Sequence, residues 1–264
     1  MALGMDPRLD LTKTYFVLAG IAGIDPAVGS VGSGVWASWV VEATLGHFID
    51  PREMPDHWTW GHWPSARGAH GGRSTEAVPY PLDMPSVPGV TDASPYDRSA
   101  AAATIQSSHG GMYAVELHPG LVRWAFELTQ DITLPDSERL QLVRAKYTDF
   151  PNALRPPFVL MGDNLDGQTY WAGTLQTEWA REWVHWHTGG AGRFATSAME
   201  DTGVLKSLLR LGTAERVDAR RVLVLRTASD YTMPHANMSA AQGYFNPCPE
   251  CSVSATAHFH CQGA

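Results

Sequence analysis

The stretch from Arg193 to Arg226 reads RFATSAMEDTGVLKSLLRLGTAERVDARRVLVLR, and its pattern decides the fold. Arg193 to Ser197 and Arg221 to Arg226 are short runs rich in apolar residues, and each is typical of a buried strand. Glu200 to Leu211, between them, carries leucines at helical spacing. A strand, a helix and a second strand form the repeating unit of an α/β fold.

The same alternation extends upstream along the chain. Tyr15 to Ala19 predicts a buried strand that a turn at Gly20-Ile-Ala-Gly23 closes, and Trp36 to Ile49 predicts one or two further strands. Pro157-Phe-Val-Leu-Met161 predicts a strand and Thr174 to Trp186 a helix. We therefore predict a three-layer α/β fold, with a mostly parallel or mixed sheet and helices that flank it.

Two more helices are predicted in the middle of the chain. The first begins at His118-Pro119, because proline suits the first turn of a helix. Asp136 is a suitable N-cap for the second helix. Leu140, Val143 and Tyr147 share one face of that helix at the spacing of its turns, so we expect this face to be buried.

The domain organisation follows from shifts in composition. We expect residues 1–234 to form one α/β domain, with a long irregular loop over 51–98 that holds eight prolines from Pro51 to Pro95. Residues 235–264 are predicted to be a divergent, irregular tail. It contains the three cysteines, Cys248, Cys251 and Cys261. With His258 and His260 they leave zinc binding open, but we predict no metal site.

Composition and charge exclude several classes of function. The chain has 264 residues, 44% of them hydrophobic, and a formal charge of -8, so it lacks the positive field that nucleic acids or anionic lipids attract. The longest apolar run, Tyr15 to Ile24, is about half the ~20 residues that cross a bilayer. We therefore expect neither a nucleic-acid partner nor a membrane span. The sequence shows no secretion signal and leaves the compartment open.

Two acidic residues lie where a ligand would bind. In α/β sheets ligands sit beyond the carboxyl ends of the strands, and Glu200 and Asp230 each follow a predicted strand. Glu200 begins a helix, whose dipole stabilises a carboxylate, and partial burial of Asp230 would raise its pKa. Two carboxyl groups in different environments can divide the roles of acid and charge stabiliser. The alternative is that both are structural, in a first turn and at an N-cap or turn.

Five stretches of the chain resemble the purine nucleoside permease family, which is itself similar to the nucleoside phosphorylase and nucleosidase superfamily. They are Leu18-Ala-Gly-Ile-Ala-Gly-Ile-Asp-Pro26, His118 to Thr129, Met161-Gly-Asp-Asn164, Ala195-Thr-Ser-Ala-Met-Glu-Asp201 and Arg226-Thr-Ala-Ser-Asp230. The last two are the most specific, and the resemblance spans residues 1 to 234. It implies a nucleoside phosphorylase-like fold and a purine nucleoside as ligand.

The resemblance also implies a role for each site residue. Glu200 would accept hydrogen bonds from the ribose hydroxyls, and Met199 would pack beneath the sugar. Asp230 would protonate or hydrogen-bond purine N7, and Ser229 would orient Asp230. On this basis Asp230 and Glu200 are the predicted catalytic residues.

In the superfamily the glycine turn approaches the ribose and the base, which here assigns Gly20, Ala22 and Gly23 to substrate binding. Phosphorylases place an arginine and a serine in this turn to hold phosphate, and the matching positions here are Leu18 and Ile21. Neither binds an oxyanion, so hydrolysis is favoured over phosphorolysis. Arginines from the long loop are the alternative source of a phosphate site: Arg67, Arg73 and Arg98.

Tyr170 and Trp171 stand where the superfamily places its base-stacking residue, and ordinary core packing is the equal alternative for both. The resemblance also implies that the sheet lacks the superfamily's first strand, which carries a carboxylate that orients the attacking water. We therefore expect this chain alone to bind and hydrolyse purine nucleosides weakly.

The resulting prediction is an enzyme that cleaves the N-ribosidic bond of purine nucleosides without a cofactor. The first alternative is a nucleoside-binding component of transport, and the second is a phosphate-dependent phosphorylase. A homo-oligomer is compatible with the resemblance, and the preferred purine base is left open.

Overall fold

The structure is a computed structural model, and it describes residues 1–44, 46–48, 50, 53, 62–64 and 114–245. The strands within these residues are β1 Phe16–Ile24, β2 Gly34–Trp36, β3 Trp39–Glu42, β4 Gly46–Phe48, β5 His62–Pro64, β6 Ala114–Glu116, β7 Val159–Met161, β8 Asp163–Asp166, β9 Phe194–Ala198 and β10 Val222–Tyr231. The helices are α1 Ala2–Met5, α2 Pro119–Thr129, α3 Glu138–Arg144, α4 Thr174–His187, α5 Asp201–Thr213 and α6 Ala240–Phe245.

Eight of these strands form one mixed sheet in the order β6-β3-β8-β9-β1-β10-β2-β7. The pairs β1/β10, β2/β7, β3/β8 and β8/β9 are parallel. The pairs β1/β9, β2/β10 and β3/β6 are antiparallel. β4 and β5 form a separate two-stranded antiparallel sheet. The long strands β1 and β10 lie side by side near the middle of the large sheet.

Helices cover both faces of the sheet, as the packing of neighbouring residues along one strand shows. Successive strand residues point to opposite faces. In β3, Val40 packs with α2 and α5, whereas Val41 packs with α4. In β2, Val35 packs with α3 and Trp36 with α2 and α5. The predicted three-layer α/β architecture, with a mixed sheet and flanking helices, is therefore confirmed.

An ion pair fixes helix α4 against the end of β1. Asp25 directly follows β1 and is buried, and both of its carboxylate oxygens accept hydrogen bonds from Arg181 of α4, at 2.7 and 2.8 Å. Because two nitrogens of the guanidinium bond to the two carboxylate oxygens, the pair has a defined geometry. The pair holds the loop after β1 and one flanking helix in a fixed relation.

Several predicted elements are confirmed with small changes in their bounds. α2 begins at Pro119, and the ring of His118 accepts a hydrogen bond from the backbone N–H of Leu121 as its cap. The helix predicted over 174–186 is α4, and the helix predicted over 200–211 is α5. Leu140, Val143 and Tyr147 are buried together, as expected, but α3 ends at Arg144, so Tyr147 lies after the helix rather than on its face.

Two predicted strand ends are wrong. The Gly20-Ile-Ala-Gly23 segment is not a turn, because β1 runs through it to Ile24. Similarly, Thr227 to Asp230 lies inside β10 rather than after it. Glycine suggests a turn in sequence, but in a strand it also marks a place where another group approaches the backbone closely.

The predicted N-cap of the second middle helix is also wrong. Ser137 caps α3, since its hydroxyl accepts a hydrogen bond from the backbone N–H of Leu140. The carboxylate of Asp136 instead forms two hydrogen bonds with Arg144, at 2.8 and 2.7 Å. Aspartate and serine both cap helices well. Here the Asp136 carboxylate is bound to Arg144, and Ser137 is the cap.

Two predicted irregular segments fall largely outside the described residues. Within the loop predicted over 51–98, the structure describes only Glu53 and residues 62–64. Within the tail predicted over 235–264, it describes residues up to 245, and these include the helix α6. The tail therefore contains a regular helix that the sequence analysis does not predict.

Gly32, in the loop that connects β1 to β2, offers a test of how this loop packs against Pro157. Its φ is +87°, and a Cβ atom there would lie 2.9 Å from Cγ of Pro157. We expect Gly32→Ala to lower the free energy of unfolding by about 1–3 kcal/mol. The matched control is Gly203→Ala in α5, where a Cβ atom meets nothing within 4 Å, and it should be neutral or stabilise by up to about 1 kcal/mol. Urea denaturation measures both changes, and equal effects would contradict this account of Gly32.

Candidate functional site

The candidate site is a cavity where β1, β9 and β10 meet. Gly23 of β1 pairs with Ser197 of β9 on one side and with Asp230 of β10 on the other. All three residues line the cavity. A Cβ atom on Gly23 would lie 3.3 Å from Oδ2 of Asp230, so the glycine leaves room for the carboxyl group beside the strand.

A β-bulge directs two consecutive side chains of β10 to the cavity. Ala22 pairs with Ala228, but Gly23 pairs with Asp230, so Ser229 is an extra residue in the ladder. Side chains normally alternate between the faces of a strand, and a bulge changes their direction locally. Ser229 and Asp230 both line the cavity for this reason.

Both oxygens of the Asp230 carboxyl group accept hydrogen bonds. The Ser229 hydroxyl donates to Oδ1 at 2.7 Å, and the Tyr170 hydroxyl donates to Oδ2 at 3.0 Å. Burial raises the pKa of Asp230 above the ordinary value for aspartate, while the two hydrogen bonds oppose this shift. A raised pKa keeps more of the carboxyl group protonated near neutral pH, as a general acid requires.

Glu200 lies at the N-cap of α5, but its side chain does not cap the helix. Asp166, at the end of β8, does so instead. Its carboxylate accepts the backbone N–H groups of Asp201 and Thr202 at 3.0 and 2.9 Å. The capping requirement is therefore met from a neighbouring strand, and the exposed carboxylate of Glu200 is available to the cavity.

A buried arginine connects Glu200 to the core. Nη1 of Arg226 lies 2.8 Å from Oε2 of Glu200, and Nε donates to Oδ2 of Asp201 at 2.9 Å. Nη2 of Arg226 forms a second hydrogen bond with Asp201. A Cβ atom on Gly20, which pairs with Arg226, would overlap Nη1. Gly20 is therefore the residue that lets the guanidinium lie across β1.

The sequence analysis assigns no role to Arg226 or Asp201. Arg226 stands at the end of the predicted strand, where a charged residue usually faces solvent, and Asp201 resembles an ordinary first-turn acid. Burial raises the pKa of Asp201, although hydrogen bonds from Arg226 oppose the shift. Asp201 ends the motif Ala195–Asp201 and Arg226 begins the motif Arg226–Asp230, and these positions are the signal that could have indicated the pair.

Aromatic rings form one wall of the cavity. Tyr170 lies 5.5 Å from Tyr244 between ring centroids, and Tyr244 belongs to α6. Trp171 also lines the cavity, and it packs against Phe194 and Trp179 at 6.1 and 6.3 Å between centroids. Trp171 thus packs in the core and also lines the cavity, and its stacking on a base stays a prediction.

The structure brings nearly all predicted site residues to one cavity. Gly20 does not line the cavity, because it faces Arg226. The predicted residues that line it are Ala22, Gly23, Tyr170, Trp171, Met199, Glu200, Ser229 and Asp230.

Asp163, from another predicted strand end, has a structural position. Its carboxylate accepts backbone N–H groups from Trp39, at 2.8 Å, and from Arg193. Burial raises the pKa of Asp163 to about 6. The residue connects the start of β3 to the residue before β9, and it is not among the residues that line the cavity.

The described part of the chain contains neither a cluster of metal ligands nor a helix that could span a membrane. No group of three or more histidine, cysteine, aspartate or glutamate side chains there is arranged to hold a metal ion. Where the structure describes the chain, no helix has the length and apolarity that a bilayer crossing requires. The cysteine and histidine residues of the zinc alternative lie outside the described residues.

The fold and the cavity define an α/β protein with a cavity lined by two carboxyl groups near the ends of its central strands. The chain belongs to the purine nucleoside permease family, since the family model "Purine nucleoside permease (NUP)" matches residues 1–261. The match extends past residue 234, where the motifs of the sequence analysis end.

Individual relatives agree with the family. A "probable purine nucleoside permease" of Schizosaccharomyces pombe is 29% identical over 264 residues, which are 100% of this chain and 69% of the relative. A purine nucleoside permease of Candida albicans is 26% identical over 248 residues, or 93% of this chain and 53% of the relative. The chain thus spans about half to two thirds of these relatives.

A search of solved structures finds a similar chain in Campylobacter jejuni 5′-methylthioadenosine/S-adenosyl homocysteine nucleosidase. The TM-score is 0.36 and the sequence identity is 12%, over 86% of this chain and 60% of the nucleosidase.

Loss of Asp201 tests the buried ion pair. We expect Asp201→Ala to lower the free energy of unfolding by about 3–5 kcal/mol, because it leaves the buried Arg226 guanidinium without its main partner. Asp218→Ala, which breaks surface ion pairs with Arg220 and Arg221, is the control and should lower the free energy of unfolding much less. Urea denaturation compares the two variants. A similar small loss in both would show that the pair does not stabilise the fold.

Proposed function

We propose that this chain binds purine nucleosides and cleaves their N-ribosidic bond, with water as the attacking group. The observation that supports this most is the placement of Asp230, held by Ser229, in the same cavity as Glu200. Two carboxyl groups in different surroundings supply an acid for the base and a negative charge for the sugar.

Asp230 is the proposed general acid. The C1′–N9 bond breaks with its electron pair moving to the purine, and Asp230 donates a proton to N7, so the base leaves as a neutral molecule. The oxygen of water then bonds to C1′, and the proton that water loses returns to Asp230 through solvent. The raised pKa of Asp230 suits this role, because the group must carry a proton before the bond breaks.

Glu200 is the proposed partner of the ribose. Its carboxylate would accept hydrogen bonds from the 2′- and 3′-hydroxyl groups, and Met199 would pack beneath the ring. Bond cleavage builds positive charge on the sugar, which a nearby carboxylate stabilises more in the transition state than in the ground state. The rings of Tyr170 and Tyr244 offer a flat surface to the purine.

The charges around the cavity favour water over phosphate. Among the described residues, the cavity lining contains two carboxyl groups and no lysine, arginine or histidine. Ile21 lines it where a phosphorylase has serine, and the nearby Arg226 is paired with Asp201 and Glu200. A phosphate dianion would therefore meet negative charge with no free cation among these residues. The loop arginines of the alternative lie outside the described residues: Arg67, Arg73 and Arg98.

The second candidate function is nucleoside binding for transport without cleavage, which the family membership favours. One assay separates the candidates. The protein is incubated with inosine or adenosine in phosphate-free buffer, and free base is measured by chromatography. Base release without phosphate supports hydrolysis, and release that requires phosphate indicates a phosphorylase. Binding by calorimetry with no base release supports the transport function.

Asp230→Asn tests the acid. We expect kcat to fall by about 10²–10⁴-fold while nucleoside affinity changes much less, because the proton is needed only as the bond breaks. Circular dichroism checks the fold, and Asp218→Asn on the surface is the matched control. Unchanged turnover in Asp230→Asn would reject the assignment.

Glu200→Gln tests the ribose contact. We expect it to weaken cleavage of ribonucleosides more than that of 2′,3′-dideoxy analogues, since the lost charge has hydroxyl partners only on the ribose. Glu127→Gln on the exposed side of α2 is the control. The comparison of kcat/KM for both substrates measures the effect, and an equal loss on both would be inconsistent with this contact.

A further inference from the structure

Tyr170 contacts the proposed acid through its hydroxyl group rather than through its ring. The O–H group donates to Oδ2 of Asp230 at 3.0 Å. The two roles expected for Tyr170 from the sequence are base stacking and core packing, and neither uses a hydroxyl. The hydrogen bond therefore points to a second role for the same residue.

The segment that carries Tyr170 is fixed to the strand that carries Asp230. The backbone N–H of Gly173 donates to the carbonyl oxygen of Thr232 at 2.8 Å. The Thr177 hydroxyl donates to the Thr232 hydroxyl at 3.0 Å. Thr232 is two residues after Asp230, so these bonds fix Tyr170 relative to the acid.

We propose that Tyr170 is a positioning residue that acts through Asp230: its hydroxyl orients the carboxyl group in the cavity and sets how readily that group keeps its proton. This inference rests on the proposed function for its catalytic consequence. A hydroxyl donor stabilises the ionised form of a carboxyl group, whereas burial favours the protonated form. Tyr170 thus limits the effect of burial on Asp230.

Few other groups can influence Asp230 in the same way. Ser229 occupies the other oxygen, Oδ1, and Glu200 lines the cavity from the start of α5. The remaining titratable groups of the lining are tyrosines from β10, α6 and the turn after α3: Tyr231, Tyr244 and Tyr147. Burial raises the pKa of Tyr170 itself, with the Asp230 charge as a further cause, so Tyr170 stays a hydrogen-bond donor at neutral pH.

Tyr170→Phe separates the hydroxyl from the ring. Loss of the donor raises the pKa of Asp230, so the alkaline limb of the kcat profile for base release should move to higher pH by roughly one unit. Activity falls as pH rises through this limb because Asp230 loses its proton. Tyr15→Phe is the control, since Tyr15 precedes β1 at the end away from the cavity. An unshifted limb in Tyr170→Phe would overturn the inference.

The ring has its own test. Tyr170→Leu removes both the hydroxyl and the aromatic surface. If Tyr170 only stacks on the base, Tyr170→Phe should match the wild-type profile and only Tyr170→Leu should raise KM. If the inference holds, both variants shift the pH profile, and Tyr170→Phe does so although it keeps the ring.

A measurement without turnover keeps this inference distinct from the proposed function. Carboxyl ¹³C resonances of labelled aspartate are followed against pH in the wild-type protein and in Tyr170→Phe, and Asp230→Asn identifies the Asp230 signal. We expect Asp230 to titrate about one unit higher in Tyr170→Phe. If this shift occurs but no nucleoside is cleaved, the proposed function fails and the inference stands. Identical titrations would reject the inference.

Discussion

The buried ion pair between Arg226 and Asp201 is the constraint on which the candidate site depends. A guanidinium that is removed from water needs a carboxylate partner, and Asp201 provides one at the start of α5. The pair joins β10 to α5, and Arg226 reaches Glu200 in the same arrangement. The pair also explains why position 20 is glycine, since only a residue without a side chain leaves room for the guanidinium across β1.

Two local departures from regular structure then place the candidate functional groups in the cavity. The bulge at Ser229 directs both Ser229 and Asp230 to the cavity, where a regular strand would direct only one. At the start of α5, Asp166 caps the helix and leaves the Glu200 side chain available. One carboxyl group of the cavity, that of Asp230, thus comes from a strand, and the other, that of Glu200, comes from a helix terminus.

The sequence predicts the layers and most of the cavity, but not the interactions that orient its groups. Helical spacing and a proline locate α2 and α4 correctly, because these signals are local. The length of β1 is misjudged, because Gly20 reflects a contact with Arg226, which is more than 200 residues away in the chain. The bulge at Ser229 has no local signature. Motif resemblance locates Asp230 and Glu200, since it carries tertiary information that spacing lacks.

The distribution of charge around the cavity supports the proposal that it takes a nucleoside rather than phosphate. Arg226 forms an ion pair with Glu200 and so holds the Glu200 carboxylate in place. Asp201 pairs with the same guanidinium and neutralises its positive charge. In the proposed function, the Glu200 carboxylate would then face the positive charge that develops on the ribose. A neutral residue in place of Asp201 would leave Arg226 with Glu200 as its remaining ion-pair partner in the described part of the chain. The buried carboxylate of Asp201 thus affects the charge at the candidate site, although Asp201 does not line the cavity.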